Sequence, residues 1–130
     1  MYILKKVNVV AAIIFSGDRI FATQRGYGEF KDLWEFPGGK IEFGESPEEA
    51  LVREIREELD ADIEMLNFVL DLEWQYPSFY LYMSCYKCVL RSDYTLLEHE
   101  DGRWLGKDEL DSVNWIDADV IVVDYLKDNM

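Results

Sequence analysis

The chain contains few basic residues relative to its acidic ones. Its 130 residues include 13 Lys and Arg against 27 Asp and Glu, which gives a net charge of -14. Proteins bind nucleic-acid polymers and anionic membrane surfaces largely through Lys and Arg, so this balance argues against both partners. A small polyanion that arrives together with a metal ion remains compatible with it.

Cysteine is also scarce, with Cys85 and Cys88 as the two examples. Two cysteines cannot build a disulfide framework. Both belong to an apolar stretch that reads as a strand, where side chains three positions apart point to opposite faces. We therefore predict two free thiols rather than a redox or metal pair.

Long hydrophobic runs are missing as well. The apolar run from Val7 to Phe15 follows two lysines but contains Asn8 and leads into Ser16-Gly17-Asp18. This is typical of a strand that enters a hairpin rather than of a signal peptide. No run approaches the roughly 20 residues of a transmembrane helix, so we predict a cytoplasmic protein. The length and the 49% hydrophobic content predict a single globular domain over residues 1–130.

Apolar periodicity and turn residues divide the chain into strands and helices. Pro37-Gly38-Gly39 is expected to break a short apolar strand that begins at Leu33. The last strand is expected to open at Trp104. The other predicted strands cover residues 3–15, 19–24, 40–43, 63–75 and 79–91, and the predicted helical segments cover 47–59, 107–110 and 119–128. This mixture predicts an α+β protein or a layered α/β/α protein, and the pattern does not choose between them.

The segment from Gly39 to Ala61 carries the most information. Ser46 is a favourable helix N-cap, Pro47 suits the first helical position, and Glu49 completes a capping box. The helix that follows has an apolar stripe that is expected to face the core. Its members are Leu51, Val52, Ile55 and Leu59.

Glu54, Glu57 and Glu58 form a neighbouring acidic stripe on the same helix. Like charges at this spacing repel by about 0.2–0.5 kcal/mol per pair, and the helix C-terminus disfavours anions. A hard divalent cation held by the carboxylate oxygens would offset this repulsion. The stripe therefore indicates a metal site, with a solvated acidic helix face as the alternative.

The whole segment resembles the Nudix box, Gly-x5-Glu-x7-Arg-Glu-U-x-Glu-Glu-x-Gly-U, where U is a bulky apolar residue. Asp60 replaces the second glycine, and Ala61 occupies the last apolar position. The residues in register are Gly39, Glu45, Arg53, Glu54, Ile55, Glu57 and Glu58. The resemblance implies an α/β/α sandwich with a mixed sheet, and hydrolysis of a nucleoside diphosphate linked to another group with the help of a divalent metal.

Further segments are similar to MutT-type nucleoside triphosphate pyrophosphohydrolases within this family. They are Trp34 to Glu42 before the box, Glu98 six residues ahead of Trp104, and Ala118-Asp119. The similarity implies cleavage of a nucleoside triphosphate into a nucleoside monophosphate and pyrophosphate, by attack on the β-phosphorus. The cofactor would be Mg2+, with Mn2+ as an alternative.

The resemblance also implies roles for individual residues. The metal ligands would be the Gly38 carbonyl and the carboxylates of Glu54, Glu57, Glu58 and Glu98. Glu54 or Glu98 would act as the general base on a water molecule. Arg53, together with Glu45, would hold the box in place and orient the catalytic carboxylates.

Candidate substrate contacts lie outside the box. Asp119 is expected to hydrogen-bond the base or to cap the last helix, and Phe36 to stack on the base or to pack in the core. Arg25 and Lys40 are candidates for phosphate contacts, or else solubilising charges. The arginine that the subgroup often carries after the proline of the Tyr76-Pro77 hairpin is replaced by Ser78.

His99, the single histidine, is expected to lie in a surface loop, with tuning of the site as the alternative. The leading substrates are oxidised guanine nucleotides such as 8-oxo-dGTP, or CTP-like pyrimidine nucleotides, and the motifs do not separate them. A dinucleoside polyphosphate or nucleotide sugar is a second possibility, and a non-catalytic nucleotide-binding module is a third. The protein is expected to be a monomer or a homodimer.

Overall fold

The computed structural model describes residues 5–130. The first predicted strand therefore begins at Lys5, and positions 3 and 4 lie outside the described residues. A 3-10 helix covers Lys107–Ser112. The other elements are β1 (Lys5–Ser16), β2 (Arg19–Arg25), β3 (Trp34–Glu35), β4 (Gly38–Lys40), α1 (Pro47–Leu59), β5 (Ile63–Gln75), β6 (Phe79–Leu90), β7 (His99–Leu105) and α2 (Asp117–Asn129).

Strand β1 is the centre of the sheet. It runs parallel to β6 and antiparallel to β4, and β6 pairs antiparallel with β5. At its far end β1 forms a hairpin with β2, where Phe15 lies opposite Ile20. Strand β2 then pairs antiparallel with both β3 and β7. The sheet is therefore mixed.

Alternate residues of β1 bury against the two helices, as expected when both faces of a strand are covered. Val10, Ala12 and Ile14 pack in a core cluster that contains residues of α1. Ala11 and Ile13 pack in a second cluster that contains residues of α2. The helices thus lie on opposite faces of the sheet, and the α/β/α sandwich with a mixed sheet is confirmed.

The two cysteines follow the same alternation along β6. Cys85 is buried in the cluster on the α2 face, and Cys88 is buried in the cluster on the α1 face. Both are free thiols, as predicted. No helix among residues 5–130 has the length and apolar character needed to cross a membrane.

Helix α1 has the predicted bounds. The Ser46 hydroxyl accepts from the Glu49 N–H, and the Glu49 carboxylate accepts from the Ser46 N–H, so the capping box is present. Leu51, Ile55 and Leu59 of the apolar stripe are fully buried. Val52 is only partly buried at the edge of that stripe.

One predicted boundary around the glycines is wrong. Strand β3 ends at Glu35, before Pro37, in agreement with the predicted break, but the strand predicted at 40–43 is replaced by β4, in which Gly39 pairs with Val10 of β1. Gly38 permits this pairing, because a Cβ there would lie 2.0 Å from the Val10 carbonyl oxygen. Gly38 therefore allows the close approach of two strands at a position that reads as a break in the sequence.

The C-terminal boundaries also differ from the prediction. Strand β7 ends at Leu105 rather than opening at Trp104, because its polar start from His99 to Gly102 pairs along β2. Helix α2 begins at Asp117, two residues before the predicted start. Its N-cap is Ile116, which makes no side-chain capping hydrogen bond.

Asp60 ends α1 in the left-handed conformation, at φ 48° and ψ 42°, and its N–H bonds the Arg56 carbonyl. Glycine adopts this region without the steric cost of a Cβ. We expect Asp60→Gly to be more stable than Asp60→Ala by about 1 kcal/mol in urea unfolding. Both variants remove the same charge, so the comparison isolates the backbone conformation. Equal stabilities would show that the left-handed residue carries no strain.

Candidate active site

An acidic pocket of about 370 Å³ lies between α1, β4 and the start of β7. The box carboxylates of Glu54, Glu57 and Glu58 line it together with Glu98. Gly38 and Gly39 form part of its wall. Every metal ligand expected from the sequence is therefore brought to this one pocket.

Arg53 lies at the centre of the carboxylates. Its Nε and Nη2 donate to the two oxygens of Glu45 at 2.8 and 2.9 Å, and Nη2 also donates to the Lys40 carbonyl at 3.0 Å. Its Nη1 donates to Glu54 at 2.9 Å and to Glu57 at 3.2 Å. Hydrogen bonding to Glu45 is the largest cause that raises the pKa of Arg53. Arg53 thus ties the loop before α1 and strand β4 to the acidic stripe.

Glu58 is buried, with 8% of its surface exposed. Its Oε2 accepts from the Gly38 N–H at 3.1 Å. Burial, with the negative charges of Glu35 and Glu54, raises the pKa of Glu58 well above its usual value. Burial also raises the pKa of Glu54. These carboxylates are held together against their mutual repulsion, which is characteristic of a functional site rather than of a solvated helix face.

Gly39 gives Glu54 its space. A Cβ at position 39 would lie 2.4 Å from the Glu54 carboxyl group. The glycine that opens the box therefore lets strand β4 approach the carboxylate directly.

No three His, Cys, Asp or Glu side chains among residues 5–130 converge on one point as metal ligands. Glu54 and Glu57 instead accept from Arg53, and Glu58 accepts from Gly38. The donor set nevertheless suits a hard divalent cation, because it consists of carboxylate oxygens on one wall of one pocket. The close approach at Gly39 leaves Glu54 facing that pocket.

A second, mainly apolar pocket of about 420 Å³ adjoins the first. Its apolar walls include Val9 and Leu81 from the sheet and Ile116 from the start of α2. The residues common to both pockets are Arg25, Glu35, Gly38, Gly39 and Lys40. The two pockets are therefore parts of one cleft, with an acidic end and an apolar end.

Phe36 and Asp119 both line the apolar pocket. Phe36 is also a core residue, 4% exposed and stacked on Trp115 with ring centroids 4.8 Å apart. Asp119 is 5% exposed, and its Oδ2 accepts from the Phe36 N–H at 3.3 Å. Asp119 lies in the first turn of α2 and is not its N-cap, so the capping interpretation is wrong.

The candidate phosphate contacts differ in their partners. Arg25 donates to both carboxylate oxygens of Glu35, from Nη2 at 2.8 Å and from Nε at 3.0 Å. Lys40 is exposed at the junction of the two pockets. Its side chain forms none of the ion pairs found among residues 5–130. Lys40 thus offers a cation not neutralised by a carboxylate, whereas Arg25 shares its charge with Glu35.

The surface-loop prediction for His99 is wrong. Only 5% of its side chain is exposed, and its Nε2 lies 3.7 Å from Glu35. Its Nδ1 is buried without a hydrogen-bond partner among the described residues. The polar sequence at the start of β7 is typical of a surface loop. Instead, His99 pairs with Arg25 of β2, and its side chain lines the acidic pocket.

Glu35 is the site residue that the sequence analysis missed. It lies next to Phe36 in the segment from Trp34 to Glu42, which the sequence analysis used only as a similarity to MutT-type enzymes. No motif spacing in the sequence indicates a role for this residue. Burial would raise the pKa of Glu35, but the nearby His99 side chain and the hydrogen bonds from Arg25 hold it below the usual range. Glu35 therefore stays ionised where the two pockets meet. Its negative charge contributes to the raised pKa of both Glu58 and Asp119.

The buried carboxyl of Asp119 predicts a pH dependence of stability. Burial, then the charge of Glu35, raises the pKa of Asp119 well above its usual range. The folded state therefore retains a proton that the unfolded state loses above about pH 3.9, and stability falls as pH rises towards the folded pKa. We expect Asp119→Asn, which keeps an acceptor for Phe36, to gain stability over the parent as pH rises from 4.

Urea unfolding across this pH range measures that difference. Asp117→Asn is the matched control, because Asp117 lies in the same helical turn but is exposed. A difference between Asp119→Asn and the parent that does not change with pH would contradict the prediction.

The fold and the cleft define the class of protein. It is an α/β/α protein with an acidic pocket lined by α1 and β4. The adjoining apolar pocket is large enough for a nucleobase. Comparison with known families agrees with this class. The NUDIX domain model matches residues 5–129. The chain belongs to the NUDIX domain family.

Individual relatives share parts of the chain. An 8-oxo-dGTP diphosphatase of Escherichia coli K12 is 38% identical over 76 residues, which are 57% of this chain and 59% of the relative. A CTP pyrophosphohydrolase of the same strain is 45% identical over 67 residues, which are 51% of this chain and 50% of the relative. These matches thus span 59% of the length of the first relative and 50% of the second.

Several solved structures are similar over nearly the whole chain, and one of them also has substantial sequence identity. It is the DNA mismatch repair protein MutT, of the Nudix hydrolase family, from methicillin-resistant Staphylococcus aureus 252. It is 39% identical with a TM-score of 0.77, and the match covers 98% of this chain and 100% of that one.

Proposed function

We propose that this protein hydrolyses a nucleoside triphosphate to a nucleoside monophosphate and pyrophosphate, with Mg2+ as the cofactor and Mn2+ as a substitute. One observation carries the proposal: the acidic pocket and the apolar pocket share a wall. A nucleotide placed across that wall puts its base in the apolar part and its phosphates beside the carboxylates. The names of the relatives in E. coli support the same chemistry.

The carboxylates have distinct roles in this proposal. Glu54, Glu57, Glu58 and Glu98, with the Gly38 carbonyl, would hold the divalent cation. When bound, it would supply Lewis-acid chemistry to a water molecule and to the phosphate oxygens. Glu54 or Glu98 accepts the proton of the attacking water. Arg53 keeps the carboxylates in place through its bonds to Glu54 and Glu57.

The substrate contacts follow from the cleft. Lys40 approaches the phosphates with a charge that no carboxylate of residues 5–130 neutralises, and Arg25 contributes a charge shared with Glu35. Phe36 presents the pocket-facing side of its ring to the base, while Trp115 covers the other side. Asp119 accepts from, or donates to, polar groups on the base edge. A carboxyl at this depth favours a base that offers hydrogen-bonding partners, since a lost partner leaves a buried polar group unpaired.

Substrate choice lies between 8-oxo-dGTP and a CTP-like pyrimidine nucleotide, the two classes that the relatives' names represent. We also infer that residues 1–130 form a single Nudix domain, which is supported by the family match over 5–129.

Pyrophosphate release across a panel of nucleotides tests the proposal. The panel contains 8-oxo-dGTP, dGTP, CTP, dCTP and 5-substituted dCTP, with a dinucleoside polyphosphate and a nucleotide sugar as controls. We expect one triphosphate to be strongly preferred with Mg2+ and no turnover after the metal is chelated with EDTA. Tight binding of one nucleotide without turnover would instead favour a non-catalytic sensor.

A further inference from the structure

The segment of residues 91–98 runs along the C-terminal end of α1 in the opposite direction. The Arg91 N–H bonds the Asp62 carbonyl at 2.9 Å, and the Asp62 N–H bonds the Ser92 hydroxyl at 2.9 Å. Further along, the Thr95 N–H bonds the Leu59 carbonyl at 2.7 Å, and the Leu97 N–H bonds the Glu58 carbonyl at 3.0 Å. We call residues 91–98 the strap.

The strap satisfies backbone groups that the helix itself cannot. The last carbonyls of an α-helix have no partner within the helix and need one from outside. Here the carbonyls of Glu58 and Leu59 receive that partner from alternate N–H groups of the strap. The side chains on these N–H groups are exposed, with Leu97 at 56%, so the contact is made by the backbone rather than by side-chain packing.

The strap ends where the acidic pocket begins. Glu98, the residue after Leu97, lines that pocket beside Glu58. Glu58 is itself fixed at both ends, because its carbonyl accepts from Leu97 and its carboxylate accepts from the Gly38 N–H. The hydrogen bond from the Leu97 N–H to α1 therefore fixes the backbone one residue before Glu98.

We propose that the hydrogen bond from the Leu97 N–H to the Glu58 carbonyl is a positioning device, which places the Glu98 carboxylate beside the box carboxylates so that one divalent cation can be held by both. The inference rests on the proposed function, because it takes the acidic pocket as a metal site. It adds a residue whose side chain lies outside that pocket and which acts through its backbone alone.

The test removes the N–H without touching the pocket. Leu97→Pro deletes the donor, and Leu97→Ala, which keeps it, is the matched control. Mn2+ alone is titrated by isothermal calorimetry into the full chain and into four variants: Glu98→Gln, Leu97→Pro, Leu97→Ala and the double variant of Glu98→Gln with Leu97→Pro. We expect Glu98→Gln and Leu97→Pro each to weaken Mn2+ binding by about tenfold, with Leu97→Ala unchanged. The double variant is expected to bind no more weakly than either single one, because both changes remove the same ligand.

Two results would overturn the inference. The first is a Leu97→Pro variant that keeps the parent's Mn2+ affinity while Glu98→Gln weakens it. The second is a double variant in which the two losses multiply, which would mark general damage by proline. If Leu97→Pro does not fold, as judged by circular dichroism, an ester in place of the Leu97 amide removes the same N–H and is judged by the same criteria. A parent chain that binds no Mn2+ and hydrolyses no triphosphate would overturn the proposed function itself, and this inference with it.

Discussion

Glu54→Gln is expected to lower kcat by roughly 100- to 10,000-fold, the range over which general acid–base groups contribute. The change keeps the size of the side chain and its ability to accept from Arg53 at Nη1. It removes the negative charge that would bind a cation or accept a proton. Steady-state release of pyrophosphate from the preferred triphosphate measures the loss.

Stability separates this functional loss from a folding defect. Because burial raises the pKa of Glu54, its ionised form is disfavoured in the folded protein. We expect the glutamine variant to be folded and at least as stable as the parent at neutral pH. Glu48→Gln is the control, since it removes an exposed charge from the same helix and is expected to leave turnover unchanged. Full turnover by Glu54→Gln would refute the role given to Glu54.

Gly39→Ala is expected to lower kcat by about 100-fold while the protein remains folded. The added Cβ would lie 2.4 Å from the Glu54 carboxyl, so that side chain must move away. A displacement of about 1 Å at a reacting group can cost this much activity. The obstructing atoms belong to a flexible side chain, and therefore the backbone of β4 keeps its pairing with β1.

Gly38→Ala provides the contrast at the neighbouring position. Its Cβ would lie 2.0 Å from the Val10 carbonyl oxygen, which belongs to the backbone of the central strand. We expect this variant to lose about 3 kcal/mol or more of stability, because the strands themselves must separate. Thermal unfolding together with kcat distinguishes the two glycines. Equal effects of both variants on both quantities would contradict the assignment of one glycine to the site and the other to the sheet.

The bounds of α1 could be predicted from the sequence because the residues that define them are close together in the chain. Ser46, Pro47 and Glu49 define the start through hydrogen bonds within one turn, and the apolar stripe defines the buried face. The acidic stripe followed from spacing alone. The presence of Glu98 in the same pocket as that stripe was implied only by resemblance, since Glu98 comes from a different part of the chain.

The remaining errors concern residues whose environment depends on distant partners. Gly38 and Gly39 read as a break because the strand that pairs with them lies about thirty residues earlier in the chain. The capping alternative for Asp119 was wrong because the residue's actual partner, the Phe36 N–H, is 83 positions away. Glu35 carried no signal, because its role arises only where two pockets meet.

The position of water attack tests the central claim most directly. The preferred triphosphate would be hydrolysed with Mg2+ in 18O-labelled water. The products would be separated, and the 18O content of each would be determined by mass spectrometry. The account predicts a nucleoside monophosphate and pyrophosphate, with the label in pyrophosphate, and product formation by Glu54→Gln that is slower by roughly 100-fold or more. Release of labelled orthophosphate with a nucleoside diphosphate, or unchanged turnover by the variant, would contradict it.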